Sequence, residues 1–111
     1  MRFEITADLV RVVDCNCSIC TRKGYLHHIA PRERFRLLSG TDALATYRFG
    51  SLTAQHHFCR TCGVASFYVP RSHPDRIDVN VRCLDDVDVG QLAVTRFDGR
   101  NWEASIGTLD V

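Results

Sequence analysis

Short apolar runs, separated by glycine, proline and serine at intervals of about ten residues, follow one another along most of this chain. The most regular run is Ile77–Arg82, where isoleucine and valine alternate with Asp78, Asn80 and Arg82. Alternation of this kind places the apolar side chains on one face of a strand and the polar ones on the other. Many short strands with turn residues between them predict an all-β fold.

Seven further segments have the character of strands. They are Phe3–Ile5, Leu9–Val13, Tyr25–Ile29, Phe35–Leu38, Ala45–Phe49, Gln55–Phe58 and Ala65–Val69. No stretch keeps a helical period for more than about two turns, and the short helix that we expect lies within Asp85–Leu92. We find no linker, repeat or low-complexity tract, so we expect residues 1–111 to form a single domain.

Composition and charge narrow the range of partners. Apolar residues make up 45% of the chain and charged residues 24%, which is typical of a soluble protein. The net charge of +1 gives no electrostatic reason to expect nucleic acid or a membrane surface as partner. No apolar run reaches the roughly 20 residues of a membrane span, and the N-terminus does not resemble a signal peptide. We therefore expect a cytoplasmic protein, whose six cysteines are better explained by metal or reactive thiols than by disulfides.

Five of the cysteines lie in two clusters, each directly after a predicted strand. Cys15, Cys17 and Cys20 form the first cluster, and Cys59 and Cys62 form the second. Thiolate is a preferred zinc ligand, and one tight turn can wrap a C-x-x-C pair around a single ion. We therefore predict that the chain binds zinc. Three thiolates on one ion would leave a fourth tetrahedral position open, which is the arrangement of a catalytic site.

The spacing leaves two groupings open. One is a closed structural site made by Cys17, Cys20, Cys59 and Cys62, which requires the fewest assumptions and is favoured by spacing alone. The other is an open site made by Cys15, Cys17 and Cys20, with the second pair forming half of another site. In the second cluster, Gly63 is expected to adopt positive φ and to turn backbone N–H groups toward the sulfurs.

The remaining cysteine and the histidines are weaker candidates. Cys83 is expected to be a buried small hydrophobic residue. His27 and His28, like His56 and His57, are adjacent on their strands and point to opposite faces, so one of each pair could face a site.

The combined motifs resemble a known family. They are C-x-C-S-x-C at residues 15–20, F-C-x-x-C-G at residues 58–63, Gly40 after a strand that begins with phenylalanine, Tyr47, and Leu84-Asp85 after a valine-rich strand. Together they resemble the glutathione-dependent formaldehyde-activating (GFA) family, also called the centromere-protein-V domain, from about Arg2 to Trp102. The resemblance implies an all-β, zinc-binding β-tent fold of short antiparallel strands with two zinc sites.

The resemblance also implies which cysteines act together. It places the catalytic zinc on Cys15, Cys17 and Cys20, and makes Cys59 and Cys62 half of a structural zinc site with four cysteines, which reverses the grouping that spacing favours. The family's other half-site is a C-x-C segment near the N-terminus, and this chain begins after the corresponding position. Our hypothesis is that the sequence is truncated because an internal codon was taken as the start, so that an in-frame C-x-C lies upstream of Met1; without one, the shortening is real. The DNA upstream of Met1 tests it.

The activity implied by the resemblance is that of a zinc-dependent carbon–sulfur lyase. The family joins glutathione and formaldehyde, so the expected partners are a glutathione-like thiol and an aldehyde. A substrate thiol in the open position would lose its proton and become a nucleophile. Candidates to hold a substrate carboxylate are Arg22, Lys23 and Arg60, and candidates to carry the proton are His27, His28 and, less strongly, Tyr25.

Two other functions fit the same cysteines. The chain could be a non-catalytic zinc module that binds a protein partner. The clustered thiols could also sense redox conditions, although zinc would protect them from oxidation. Near the C-terminus, Phe97 and Trp102 are expected to lie in the core.

Overall fold

A computed structural model describes residues 1–109 and consists mostly of short strands, which confirms the predicted all-β class. Within this range the elements follow in the order β1 (Arg2–Ile5), β2 (Arg11–Cys15), α1 (Ser18–Lys23), β3 (Leu26–Pro31), β4 (Phe35–Ser39), β5 (Leu44–Tyr47), β6 (His56–Cys59), β7 (Phe67–Tyr68), β8 (Arg76–Asn80), β9 (Ala93–Phe97) and α2 (Trp102–Ser105). In the described part of the chain, no helix has the length and apolar character needed to cross a membrane.

The chain divides into two compact units. The first contains Met1–Asp8 and Ile29–Val79, and the second contains Leu9–His28 and the chain from Asn80 onward. The expectation that the whole chain forms one domain stays a prediction.

The first unit is built from antiparallel strand pairs. Strand β1 pairs with β4, β5 pairs with β6, and β7 pairs with β8. The core of this unit contains Phe67, Val69, Ile77 and Val79, and partly buried residues such as Phe3 and Phe35 pack against it. The ring of Phe35 lies with its centroid 5.5 Å from that of Phe3 and 4.7 Å from that of Phe67. Aromatic and β-branched side chains therefore fill the inward face of the strands.

The second unit is organised around β2, which ends at the first cysteine of the triplet. Strand β2 pairs antiparallel with β3 and parallel with β9. The parallel pairing differs from the antiparallel strands that the resemblance implies. It is possible because a long stretch of chain separates β2 from β9 and lets β9 return in the same direction. Val12, Leu26 and Val81 form the core of this unit.

Eight of the nine strands within residues 1–109 coincide with predicted segments, whereas β9, α1 and α2 were not predicted. The prediction of a helix within Asp85–Leu92 is wrong, because the helical part of this segment is one 3-10 turn at Val89–Gln91. Asp86 has a φ of +60°, which an α-helix does not accommodate. The alternation in β8 is confirmed for Val79, which is fully buried, but Asp78 is also buried, so both faces of this strand are covered.

Candidate metal centre

The three cysteines of the triplet are positioned by a strand end and a helix start. Cys15 is the last residue of β2, and Cys17 is the N-cap of α1, with its Sγ accepting a hydrogen bond from the backbone N–H of Cys20 at 3.5 Å. Residues three apart in a helical turn face the same side, which brings Cys20 toward Cys17. The first turn of α1 therefore brings Cys17 and Cys20 together, and the end of β2 places Cys15 two residues before Cys17.

The sulfur atoms of Cys15, Cys17 and Cys20 all lie within 4.8 Å of one another. Zinc–sulfur bonds of about 2.3 Å in a tetrahedron place two sulfurs about 3.8 Å apart, so small side-chain movements would let the three thiols bind one ion. Cys20 is buried, and Cys15 and Cys17 are half-buried. Among residues 1–109 this is the only group of three or more cysteine, histidine or acidic ligand atoms that lie this close together. The donor set and its spacing fit a thiophilic metal ion.

The electrostatics of the triplet also favour a cation. Hydrogen bonds from the Cys15 and Cys20 thiols lower the pKa of Cys17 to about 2. The hydrogen bond with Cys17 raises the pKa of Cys15, and hydrogen bonds with both neighbours, together with burial, raise the pKa of Cys20. Among the three sulfurs, the hydrogen bonds therefore favour negative charge on Cys17. A metal ion would replace the thiol protons and bind all three thiolates.

Gly99 forms a wall of the site through its backbone. A Cβ placed on Gly99 would overlap the Sγ of Cys15 and lie 3.1 Å from the Cβ of Cys17. A side chain at position 99 is therefore incompatible with this arrangement of thiols. The segment that contains Gly99 directly follows β9, whose last residue, Phe97, is in register with Cys15.

The basic residues proposed to hold a substrate carboxylate all make local contacts. The Nη1 of Arg22 donates to the carbonyl oxygen of Ser18 at 2.9 Å. The Nζ of Lys23 lies 5.8 Å from the ring centroid of Tyr25, which is a cation–π distance. In the other unit, Arg60 donates through Nη2 to the carbonyl oxygen of Leu44 at 3.1 Å. Each of these contacts occupies only part of the side chain's cationic group. Arg22 and Lys23 also lie within three residues of Cys20 in the sequence.

The residues proposed for proton transfer follow α1 directly. The backbone N–H of Tyr25 donates to the carbonyl oxygen of Cys20 at 3.3 Å, so the strand after α1 is tied to the triplet. His27 is buried with its ring centroid 4.5 Å from that of Tyr25, and His28 is half-buried.

The second cysteine pair forms a knuckle at the end of β6 in the first unit. The backbone N–H groups of Cys62 and Thr61 donate to the sulfur of Cys59 and lower its pKa. Gly63 has the expected positive φ, +81°, but its N–H donates to the carbonyl oxygen of Cys59 at 2.7 Å and not to a sulfur. Cys59 is buried and Cys62 is exposed. No third ligand joins this pair in a group among residues 1–109, so the pair alone does not make a closed four-ligand site.

The fold and the triplet define a small β-protein with a three-thiol metal-binding motif, and comparison with known proteins specifies the family. Residues 1–97 match the family described as glutathione-dependent formaldehyde-activating enzyme. The chain is also similar to a Rhodobacter sphaeroides protein of known crystal structure, with a TM-score of 0.75 and 34% identity over 84% of this chain and 90% of that one. This chain therefore belongs to the glutathione-dependent formaldehyde-activating enzyme family.

Several residues around the triplet were not identified from the sequence. They are Asn16, which separates two cysteines, and Asp98, Gly99 and Arg100, which follow β9. The Asp98-Gly99 pair is a recognisable turn signal, but a turn signal does not reveal what the turn contacts. Phe97 is buried as expected, whereas the expected burial of Trp102 and Cys83 is wrong, because both are half-buried.

Proposed function

We propose that this protein is a zinc-dependent carbon–sulfur lyase that forms or breaks the adduct between a glutathione-like thiol and an aldehyde. The observation that carries the proposal is the group of three thiols within 4.8 Å of one another. Two of them, Cys15 and Cys17, are accessible from solvent. Membership of the formaldehyde-activating family supports this reaction class.

Cys15, Cys17 and Cys20 would hold the ion through their sulfurs. When bound there, zinc supplies a Lewis acid that lowers the pKa of a substrate thiol. The chain contributes three soft donors, which leave one tetrahedral position for a ligand from outside the protein. The wall formed by Gly99 against Cys15 restricts where such a ligand can enter.

The proposed reaction is an addition to a carbonyl group. The sulfur of the substrate forms a bond to the carbonyl carbon, the C=O double bond becomes a single bond, and the thiol proton ends on the carbonyl oxygen. The reverse reaction breaks the carbon–sulfur bond and returns the proton to sulfur. No electrons are gained or lost overall, so no oxidant or reductant is required.

Residues near the triplet in sequence would assist the substrates. Arg22 and Lys23, in the last turn of α1, supply positive charge for a substrate carboxylate. His27 or His28 would transfer the proton, since histidine exchanges protons near neutral pH. Because His28 is half-buried and His27 is buried, His28 has the readier access to solvent. Tyr25 is the weaker candidate for this role.

The proposal is tested by the rate of adduct formation above the spontaneous reaction. Glutathione and formaldehyde are mixed with the zinc-loaded protein, and exchange between free and adduct forms is followed by NMR. We expect Cys17→Ala to lose the enzymatic component and Cys83→Ala, which changes a cysteine outside the triplet, to keep it. Full activity in Cys17→Ala would rule out the three-thiolate mechanism. A wild-type protein that binds zinc but does not accelerate exchange would instead support a non-catalytic zinc module.

A further inference from the structure

Asn16, the residue between the first two cysteines, is bonded through all of its polar groups to one short segment. Its backbone N–H donates to the carbonyl oxygen of Phe97 at 3.2 Å, and its backbone carbonyl oxygen accepts from the Nε of Arg100 at 3.0 Å. Its side-chain Nδ2 donates to the Oδ1 of Asp98 at 3.0 Å, and its Oδ1 accepts from the backbone N–H of Arg100 at 3.0 Å. Four hydrogen bonds thus fix one residue on both its main chain and its side chain.

The segment that holds Asn16, residues 97–101, is stabilised by a hydrogen bond within it. The second carboxylate oxygen of Asp98, Oδ2, accepts a hydrogen bond from the Nδ2 of Asn101 at 2.9 Å. The pairing of β2 with β9 ends at Cys15 and Phe97, which directly precede Asn16 and Asp98 in the chain. Asp98 therefore links the loop between the cysteines to a turn that has its own internal support.

We propose that Asn16, Asp98 and Arg100 are positioning residues that hold Cys15 and Cys17 at the separation required to bind a metal ion. This inference rests on the proposed metal-binding role of the triplet. Asn16 is bonded to both of its neighbours in the chain, so a fixed Asn16 limits the movement of the two cysteine backbones. Asp98 and Arg100 lie beyond residues 1–97, the part of the chain that matches the family.

The physical consequence is that the ligands are ordered before the metal arrives. A loop that is already fixed loses less conformational freedom on binding than a mobile one. Residues that orient metal ligands typically change metal affinity by roughly 10–100-fold when they are removed. They also alter the geometry of the site, which the absorption spectrum of bound Co²⁺ reports.

The test compares metal binding in variants of the full chain. Asp98→Ala removes the carboxylate, and Asp98→Asn keeps an oxygen that can accept from Asn16. The matched control is Asp88→Ala, which removes an exposed aspartate whose Oδ1 accepts from the backbone N–H of Gly90 at 3.0 Å, at the start of the 3-10 turn Val89–Gln91. Zinc affinity is measured by competition with a chromophoric chelator, the site geometry by the Co²⁺ spectrum, and folding by circular dichroism.

We expect Asp98→Ala to lower zinc affinity by roughly 10–100-fold and to change the Co²⁺ bands, with Asp98→Asn retaining more affinity and Asp88→Ala unchanged. The effects of Asn16→Ala and Asp98→Ala on zinc affinity should be less than additive in the double variant, because the two substitutions share the bond from Asn16 Nδ2 to Asp98, while Asn16→Ala also removes the acceptor of the Arg100 N–H. Unchanged affinity and spectrum in folded Asp98→Ala would overturn the inference. Should Asp98→Ala fail to fold, the same comparison is made with Arg100→Ala, which removes the bond from Nε to Asn16.

These readouts are separate from catalysis. A wild-type protein that binds zinc with the predicted dependence on Asp98, yet does not accelerate adduct formation, would contradict the proposed function and leave the positioning role intact. Conversely, an active enzyme whose zinc affinity is indifferent to Asp98 would contradict only the positioning role.

Discussion

The backbone of Gly99 lies so close to the Sγ of Cys15 that no side chain can be placed between them. The two residues are 84 positions apart in the chain, and they meet because β9 runs parallel to β2 and the segment after it turns over the cysteine loop. One wall of the triplet is therefore made by main chain, which leaves the sulfurs accessible only from other directions.

The first prediction is that Gly99→Ala disrupts the metal centre. The added methyl group must displace the Cys15 sulfur or the segment that carries it, since overpacking of a close contact typically costs about 1–3 kcal/mol. We expect zinc affinity to fall by at least roughly tenfold, as for loss of a residue that orients ligands. Gly107→Ala is the control, because nothing lies within 4 Å of the Cβ position there. Equal zinc affinity in the two variants would contradict the described contact.

The second prediction concerns which cysteines hold which ion. Because the triplet forms its own ligand group, Cys62→Ser should leave the zinc bound by the triplet in place, whereas Cys17→Ser should remove it. Zinc per chain is measured by atomic emission after gel filtration, with Cys83→Ser as the control. A Cys62→Ser protein that loses all zinc would show that the triplet does not hold a metal independently.

The third prediction is a difference in thiol reactivity in the metal-free protein. Hydrogen bonds from Cys15 and Cys20 lower the pKa of Cys17 to about 2, so Cys17 is a thiolate at pH 6, where an ordinary cysteine is protonated. Cys20 is buried and has a raised pKa. Iodoacetamide at pH 6, followed by peptide mass spectrometry, should label Cys17 before Cys20.

Zinc should protect both of these thiols from the reagent. Labelling of Cys20 ahead of Cys17, or equal rates with and without zinc, would contradict the described hydrogen bonds or the assignment of the metal to the triplet. The experiment is informative without any assay of catalysis, because it reports only on the protonation and ligation of the sulfurs.

The fourth prediction is a pH dependence centred on His57 in the first unit. Burial, followed by the charges of Arg48 and Arg32, lowers the pKa of His57 below 6.5. The folded protein thus binds a proton at His57 less readily than the unfolded chain does. Above about pH 6.5 His57 is neutral in both states, and its contribution to the free energy of unfolding is fully present. As the pH falls from 6.5 toward the lowered pKa, the unfolded chain takes up the proton first, so the free energy of unfolding decreases.

NMR titration of the His57 ring checks this directly. The midpoint should lie below 6.5 in wild type and should rise in Arg48→Ala, which removes a repelling charge. Arg36→Ala is the control, because Arg36 pairs with Glu4 at 2.9 Å and is not a cause of the shift. A midpoint at or above 6.5 in the wild-type protein would contradict the prediction.

The strands were predictable because their signals are local. Apolar runs bounded by glycine and proline locate β1 through β8, and the burial of Val79 follows from the alternation around it. Helix α1 was not predictable by periodicity, since six residues are too few to show a repeat of 3.6. Strand β9 was missed because its residues are largely exposed and show no alternation, while its place in the fold depends on pairing with a distant strand.

The candidate site was partly predictable for the same reason. The three thiols are close in sequence and are gathered by one turn, so the motif and the family resemblance indicate them. Asn16 and Asp98 acquire their importance only through a hydrogen bond between residues 82 positions apart. No pattern in either local segment carries that information, because a polar residue in a turn has the same local appearance whatever it contacts.

The most direct test of the account is the absorption spectrum of the Co²⁺-loaded protein as glutathione is added. The Cys62→Ser variant is used, so that the signal comes from Cys15, Cys17 and Cys20. If these thiolates leave a position open, glutathione should bind through its sulfur, increasing the sulfur-to-cobalt charge-transfer absorption and shifting the d–d bands, whereas S-methylglutathione should not do so. A spectrum that is indifferent to glutathione at saturating concentration would contradict an open three-thiolate centre.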